Sequence, residues 1–312
     1  MTCHNCHIEC KKFGKHRNGL RRFRCRQCSK TFTEDHEKPL GSMTTPLEKA
    51  LQVIELLVEG CSVNTIERVT GIHHTTILSL LLVLIGERCE RFLEKKIRAV
   101  PVSEVQCDEM WGFVGCKEKR NLTGDPERGD AYCFVAIERH TKLILSWHLG
   151  RRSARDTDAF IEKLNEATAG HFQLTTDGFR PYIEAVHYSL GTRVDYAQLV
   201  KVYATPSDGE RNYSPSEVVD AVPVPQWGNP DFTKICTSHV ERQNLTMRMQ
   251  IRRLTRLTNA FSKKRANLRA MLALYFCWYN FCRMHKTLRT TPAMAAGITG
   301  TVWTLRQMLE AA

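Results

Sequence analysis

The sequence predicts a mixed α/β chain in which a small basic module and a helical module precede a larger domain of strands and helices. Three observations support this. Two Cys-x2-Cys pairs lie within the first 30 residues, apolar residues recur at helical spacing over 44–98, and residues 102–150 are rich in Val, Tyr, Phe and Ile with turn signals between them. At 312 residues the chain exceeds what one hydrophobic core usually supports, so we expect several domains.

The composition excludes several classes of protein. Hydrophobic residues make up 42% and charged residues 25% of the chain, which is typical of a globular protein and not of collagen, a disordered tail or a disulfide miniprotein. The longest apolar run, 77–85, is far shorter than the roughly 20 residues that a bilayer requires. No apolar segment follows the basic N-terminus, so we expect a cytoplasmic protein without a membrane partner. There its 13 cysteines would be thiols or metal ligands.

The net charge of +12 is unevenly distributed along the chain. Residues 1–30 carry a net charge of +8, and residues 242–289 contain twelve Lys and Arg without one acid. The middle, 31–241, is acidic with a net charge of −8. Basic segments of this density favour phosphate backbones, because binding releases condensed counterions. We therefore expect double-stranded DNA as a partner.

The first module, 1–36, is predicted to be a zinc ribbon. Its two Cys pairs are 18 residues apart and supply four soft ligands for tetrahedral Zn²⁺. A segment this short has too small a core to fold alone, so zinc would supply the folding energy. Three further side chains remain candidates for ligand exchange. The predicted ligands are Cys3, Cys6, Cys25 and Cys28, and the three alternatives are His4, His7 and Cys10.

The second module, 44–98, is predicted to be a helix-turn-helix that binds DNA. A helix with apolar spacing ends at Gly60, Ser62 caps a short helix, and Gly71 marks the turn before a longer helix. The start of that longer helix would bring three residues near a DNA groove. Its later part is very apolar and is expected in a core or a dimer interface. The three predicted DNA contacts are His73, Thr75 and Thr76.

Three carboxylates in the larger domain form a candidate catalytic constellation. Asp108 lies on a predicted strand, Asp177 follows a second strand, and Glu241 lies on a later helix. Carboxylates held in this way can bind two Mg²⁺ ions, which activate a water or a 3′-hydroxyl for phosphoryl transfer. Either Glu109 or Asp130 remains an alternative to one of these ligands.

Glu241 is the last acid before the basic stretch 242–289, and its helix continues into that stretch. Arg248 lies about two turns after Glu241 and so shares its face. We predict that Arg248 contacts DNA beside the carboxylates, together with Arg252 and Arg253 of the same basic stretch.

These motifs resemble those of the DDE transposases, and more closely the bacterial insertion-sequence-one family. The resemblance covers roughly residues 1–290, including the order of Cys pairs, helix-turn-helix and carboxylates. It departs in the proline-rich segment 205–236, which is longer than expected, and in Asn5, where such ribbons often have Pro. The matching strings are Cys-Asp-Glu-Met-Trp-Gly-Phe-Val-Gly at 107–115, Thr-Asp-Gly at 176–178 and His-Val-Glu-Arg-Gln-Asn at 239–244.

The resemblance implies a ribonuclease H-like mixed sheet over 102–290. Within this domain, five prolines and almost no periodicity over 205–236 predict an insertion or a long loop, and 291–312 is a C-terminal tail. It implies that Asp108, Asp177 and Glu241 bind Mg²⁺ or Mn²⁺, and that Arg248 assists at the donor DNA end. It further implies a nucleoid-associated homo-oligomer that pairs two element ends.

The expected function is that of an insertion-sequence transposase, which binds terminal inverted repeats, frees a 3′-hydroxyl and joins it to target DNA. Two alternatives stay open, a nuclease without strand transfer and a DNA-binding regulator without catalysis. His239 is a candidate catalytic or packing residue, and Trp111 is expected in the core or stacked on a flipped base. Cys107 lacks a His-Asn partner pattern and is expected to be buried.

Overall fold

The structure is a computed structural model that describes residues 1–16, 19–34, 45–203 and 218–312. The chain divides into two compact units, Met1–Ala50 and Leu51–Ala312. The last two residues of the predicted zinc ribbon, 35–36, and part of the predicted insertion, 205–217, lie outside the described residues.

The first unit contains a three-stranded antiparallel sheet beside the cysteines. Cys3, Cys10 and Cys25 are buried, with Phe23 and Phe32 packed against them. Such a small apolar core is what a metal-stabilised module is expected to have. The strands, in sheet order, are β1 (Lys11–Lys15), β2 (Arg21–Arg24) and β3 (Thr31–Thr33).

The second unit is built on a six-stranded mixed sheet, which confirms the predicted mixed α/β class. Its strand order is β11-β10-β9-β5-β6-β7. The first three strands of this sheet in chain order, β5 to β7, are antiparallel neighbours, and β9 and then β10 add in parallel beside β5. A separate parallel pair is formed by β4 and β8. The strands are β4 (Val100–Pro101), β5 (Glu104–Val114), β6 (Gly129–Glu138), β7 (Ile144–Gly150), β8 (Thr168–Ala169), β9 (Phe172–Asp177), β10 (Val194–Tyr203) and β11 (Val218–Trp227).

Helices cover both faces of this sheet. Adjacent residues of a strand point to opposite faces. Trp147 of β7 contacts Phe276 of α8, whereas the next residue, His148, contacts Asp156 of α5. The helices are α1 (Leu47–Val58), α2 (Val63–Thr70), α3 (His74–Thr76), α4 (Val83–Lys96), α5 (Ala154–Ala167), α6 (Pro181–Ser189), α7 (Ser238–Gln250), α8 (Arg265–Phe281), α9 (Pro292–Ala295) and α10 (Leu305–Ala311).

The helices of the predicted helix-turn-helix begin and end at the expected signals. The Ser62 hydroxyl accepts a hydrogen bond from the Thr65 N–H at the start of α2, and Gly71 ends it with φ 72°. From α3 the chain continues through a π-helical segment, Ile77–Leu82, into α4. Within the described residues no single helix is long and apolar enough to cross a membrane, and α2 passes that test of length and composition only in combination with His74–Lys96, across a bend of 120°.

The last helix of this region packs into the core of the second unit. Gly86 of α4 faces Ala270 of α8 so closely that an added Cβ would lie 2.5 Å from the Ala270 Cα atom. Phe92 and Phe281 pack with ring centroids 5.0 Å apart. From Leu51 onward, the helices predicted as a separate domain therefore share a compact unit with the sheet.

Part of the predicted insertion forms regular structure within the residues that the structure describes. Within the predicted insertion, Val218–Trp227 forms the edge strand β11, paired antiparallel with β10. Its prolines conceal the strand in the sequence, yet an edge strand tolerates residues without an N–H donor.

The predicted tail, 291–312, is partly helical. It forms α9 and α10, and Thr304 and Gln307 form a capping box at the start of α10. Met308 and Leu309 are buried, and Trp303 packs on Phe281.

Candidate metal centre

The two predicted aspartates meet because their strands are neighbours. β5 and β9 run parallel, and Cys107 pairs with Thr176 immediately before Asp108 and Asp177. The sequence therefore delivers two carboxylates to the same edge of the sheet. β9 ends at Asp177. Glu109, which follows Asp108 on β5, therefore has no partner on β9.

The third predicted carboxylate reaches this edge because α7 is tied to β5. The side-chain oxygen of Gln106 accepts hydrogen bonds from the backbone N–H groups of His239 and Val240, at 2.9 and 3.2 Å. These contacts fix the first turn of α7, which carries Glu241. Together the elements line an open cleft of about 410 Å³, whose lining includes Asp108, Arg152, Asp177, Phe179, Lys201 and Glu241.

The tightest carboxylate group differs from the predicted triad. One oxygen each from Asp108, Glu109 and Asp177 lies within 4.8 Å of the others, so this trio could hold a divalent metal ion. Glu241 lines the same cleft, but its Oε1 atom accepts hydrogen bonds from Lys201 and Thr237. Glu109 is thus the closer of the two alternatives that the sequence offered, and Asp130 lies outside this trio, where it accepts a hydrogen bond from the Glu118 N–H.

Hydrogen bonds orient the two aspartates. Asp108 accepts from its neighbour's N–H at 2.9 Å and from the Asn244 side chain at 2.8 Å. Asp177 accepts from the Phe179 N–H at 3.1 Å. The Arg152 guanidinium lies between Glu109 and Asp177, 3.2 Å from Glu109 Oε2 and 3.4 Å from Asp177 Oδ2.

The pKa values of the trio are raised because negative charge is concentrated in a buried place. Burial and then the charge of Asp177 raise the pKa of Asp108 to about 7. Burial and Asp177 raise the pKa of Glu109 to about 8, and burial raises that of Asp177. Two cations, Arg152 and Lys201, face four acids, so a divalent cation would relieve the excess charge.

The predicted zinc ligands lie together in the first unit. Sulfur atoms of Cys3, Cys6, Cys25 and Cys28 all lie within 4.8 Å of one another, which is consistent with a zinc ribbon. N–H groups of Cys28 and Gln27 point at Cys25 Sγ, and they lower the pKa of that thiol to about 6. Cys10, a predicted alternative, is buried nearby but is not one of the four.

Arg248, predicted to contact DNA, is half-buried and bound to the backbone. It donates hydrogen bonds to the carbonyls of Trp111 at 2.9 Å and Leu254 at 3.1 Å. It thereby fastens the strand that carries Asp108 to the end of α7. Arg253 donates to Ser262 Oγ at 3.0 Å.

The remaining predicted DNA contacts are more accessible. Arg252, His73 and Thr75 are exposed and Thr76 is half-buried. His73 Nδ1 and Thr75 Oγ1 are 2.8 Å apart at the start of α3. His73 also belongs to a small group with Glu67 and His74 that could hold a cation.

Other candidates near the cleft take structural positions. Cys107 is fully buried, and burial raises its pKa well above the ordinary value, as expected for an inert thiol. His239 Nδ1 is 3.1 Å from Lys142 Nζ. The ring of Trp111 packs beside Phe113, with centroids 5.8 Å apart.

Sequence reasoning missed three residues of the site, Arg152, Lys201 and Asn244. Asn244 could have been found, since it lies one turn after Glu241 on the same helix face. Arg152 follows β7 and Lys201 lies on β10, and neither belongs to one of the sequence motifs. No signal in the sequence therefore placed these two cations at the site.

Comparison with known proteins identifies no family. No protein-family model and no curated protein matches the chain. Solved structures similar to it include a piggyBac transposase synaptic complex with hairpin DNA, at 12% identity and a TM-score of 0.39 over 86% of this chain and 72% of that one. They also include endonuclease V from Bacillus subtilis, at 12% identity and a TM-score of 0.22 over 60% and 89%. At TM-scores this low, neither likeness bears on function.

Proposed function

We propose that this chain is the DNA transposase of an insertion sequence, with a DDE-type catalytic site on a ribonuclease H-like core. The observation that carries the proposal is the convergence of Asp108, Asp177 and Glu241 on one cleft from two parallel strands and a helix. In the sequence these residues lie within the strings that resemble the insertion-sequence-one family. The sheet, three antiparallel strands extended by two parallel ones, supports the same core.

The cleft residues suit phosphoryl transfer with divalent cations. The three acids would hold Mg²⁺ or Mn²⁺, which, when bound, acidifies an attacking water or 3′-hydroxyl and stabilises the charge of the transferring phosphate. Asn244 fixes one oxygen of Asp108. Lys201 holds Glu241 at the rim of the cleft and would release it only for a cation that Glu241 itself binds.

DNA recognition is assigned to the N-terminal segments and the basic stretch after Glu241. The cysteine module would bind Zn²⁺ and contact phosphates through its basic strands. We propose that α2 and α3 form a helix-turn-helix whose exposed His73 and Thr75 read the terminal inverted repeats. Arg252 would contact the DNA backbone. Pairing two element ends would require at least two copies of the chain.

The test starts from the DNA that flanks the gene. Inverted repeats bracketed by a short direct repeat would supply an oligonucleotide substrate with a labelled strand. With Mg²⁺, the zinc-loaded protein should cut this strand at the repeat end and join the new 3′-hydroxyl to a second duplex. Asp108→Asn should do neither while still binding the repeat.

Two results would redirect the proposal. Cutting without joined products would indicate a nuclease. Specific binding without any cutting, in the presence of Mg²⁺ or Mn²⁺, would contradict the catalytic assignment and favour a regulator.

A further inference from the structure

We propose that Glu109 is a ligand of the divalent cation, beside Asp108 and Asp177, and that the Arg152 side chain occupies its place when the cation is absent. This deepens the proposed function and rests on it for the identity of the site. The geometry behind it is the trio itself, in which one oxygen of each acid lies within 4.8 Å of the others. Oxygen-only ligand sets with few carboxylates suit Mg²⁺ and Mn²⁺.

The second observation is a carboxylate oxygen without a well-made hydrogen bond. The Glu109 side chain is only 2% exposed, and its Oε1 atom makes no hydrogen bond of good geometry within the described residues; the buried Tyr182 hydroxyl interacts with this carboxylate but is poorly placed to donate to it. A buried carboxylate oxygen without a well-made hydrogen bond is costly, because the water that it has lost is not fully replaced. A cation shared with the two aspartates would satisfy it.

Arg152 makes the contacts expected of a substitute cation. Its guanidinium lies 3.2 Å from Glu109 Oε2 and 3.4 Å from Asp177 Oδ2, thereby joining two of the three proposed ligands. It also lies 4.2 Å from the ring centroid of Phe179. This cation–π contact could be retained when a metal ion displaces the guanidinium from the two acids. Arg152 is 41% exposed and has room to move.

Glu241 is less ready to bind at this position. Its Oε1 atom is already engaged by Lys201 and Thr237, and it does not belong to the tight trio. A cation at the trio would leave those contacts intact. We therefore assign the first cation to Asp108, Glu109 and Asp177, with Glu241 completing a second position.

The experiment measures Mn²⁺ binding by electron paramagnetic resonance, which reports the free ion and requires no catalysis. Zinc-loaded protein is used so that the cysteines are occupied, and Glu67→Gln is present throughout to disable the group at Glu67. Glu109→Gln should weaken Mn²⁺ binding by about tenfold or more. The matched control, Asp130→Asn, removes a nearby acid outside the trio and should leave the affinity unchanged.

Unchanged Mn²⁺ affinity in a folded Glu109→Gln protein would overturn the proposal. If this variant fails to fold, Arg152→Gln provides a second test. Removing the competing guanidinium should tighten Mn²⁺ binding severalfold, and an unchanged or weaker affinity would count against the proposal. The two proposals can fail separately. If Glu109→Gln weakens Mn²⁺ binding but the wild-type protein does not cut DNA, Glu109 is a cation ligand and the proposed transposase function is wrong.

Discussion

Two buried glutamates on one strand, five residues apart, have opposite surroundings. Glu104, near the start of β5, accepts hydrogen bonds from Arg139 and His140, and Lys234 lies 3.7 Å away. Burial alone would raise the pKa of Glu104. Arg139 and His140 lower it by more than burial raises it, so the net shift of the pKa is downward. Glu109 shares a single arginine with Asp177, and its pKa rises to about 8.

The difference teaches that burial alone does not make a functional carboxylate. Glu104 is surrounded by enough positive charge to stay ionised, and it stabilises the fold. Around Glu109, in the middle of the strand, the acids outnumber the cations, so charge remains to be neutralised by something from outside the chain. The two positions should therefore respond oppositely to removal of a charge.

The largest expected effect is on catalysis. Asp177→Asn removes a ligand from the acidic trio of Asp108, Glu109 and Asp177. The rate of DNA cutting should then fall about 10³-fold, because cation catalysis contributes several kcal/mol. The metal-free variant should be no less stable than the wild type to heat, because repulsion is relieved. Rapid-quench cleavage and thermal unfolding measure the two effects, and a destabilised but active variant would break the comparison.

The converse change is Glu104→Gln, where the carboxylate is well compensated. It leaves Arg139 without this partner, but the Arg139 side chain is 29% exposed, so the free energy of unfolding should fall by about 2 kcal/mol, less than for a fully buried ion pair. Cutting by the folded fraction should be normal. Denaturant titration checks this, and stability equal to that of the wild type would show that this network contributes little.

Asn244 links the helix to the acids, and its loss should be felt mainly in catalysis. Asn244→Ala removes the hydrogen bond to Asp108 and should slow cutting by about tenfold, because groups that orient metal ligands have effects of this size. The control is Gln243→Ala on the same helix. Gln243 bonds to the Tyr275 hydroxyl, away from the cleft, so its loss should affect stability and not rate.

The last comparison concerns pH instead of a substitution. In the unfolded chain Asp108 and Glu109 ionise near pH 4, whereas in the fold their pKa values are about 7 and 8. Between these limits the folded protein binds more protons than the unfolded one, so its stability falls as pH rises, by about 1 kcal/mol per pH unit for each group.

Thermal melts between pH 5 and pH 8 check this dependence. Glu109→Gln should flatten the slope, and Mn²⁺ should reverse the loss at high pH because its binding releases the protons. A steeper slope in the variant would show that the excess charge lies elsewhere.

Much of the architecture was accessible from local patterns. Alternating and β-branched residues marked the strands of 102–150, and Ser62 and Gly71 marked the ends of α2. The cysteine spacing brought four sulfurs together as expected, because short knuckles constrain their own geometry. β11 was missed because Pro223 and Pro225 are strand breakers except at an edge, and only pairing with β10 makes that edge.

The candidate site shows where local patterns stop being sufficient. Asp108 and Asp177 were identified in the sequence because each lies within a recognisable motif on or after a predicted strand. That Glu109 lies nearer to them than Glu241 depends on β9 ending at Asp177, which no pattern within β5 records. Arg248 points at carbonyls instead of solvent for a similar reason, since the loop after α7 folds over it.

Residue types and their spacing specified the strands, the helix caps and the acids that this chain offers for chemistry, because those properties depend on neighbours along the chain. The number of cations facing each acid was decided only when distant segments came together. Arg152 and Lys201 come from separate elements, so charge balance, and with it every shifted pKa in the cleft, is a property of the tertiary structure.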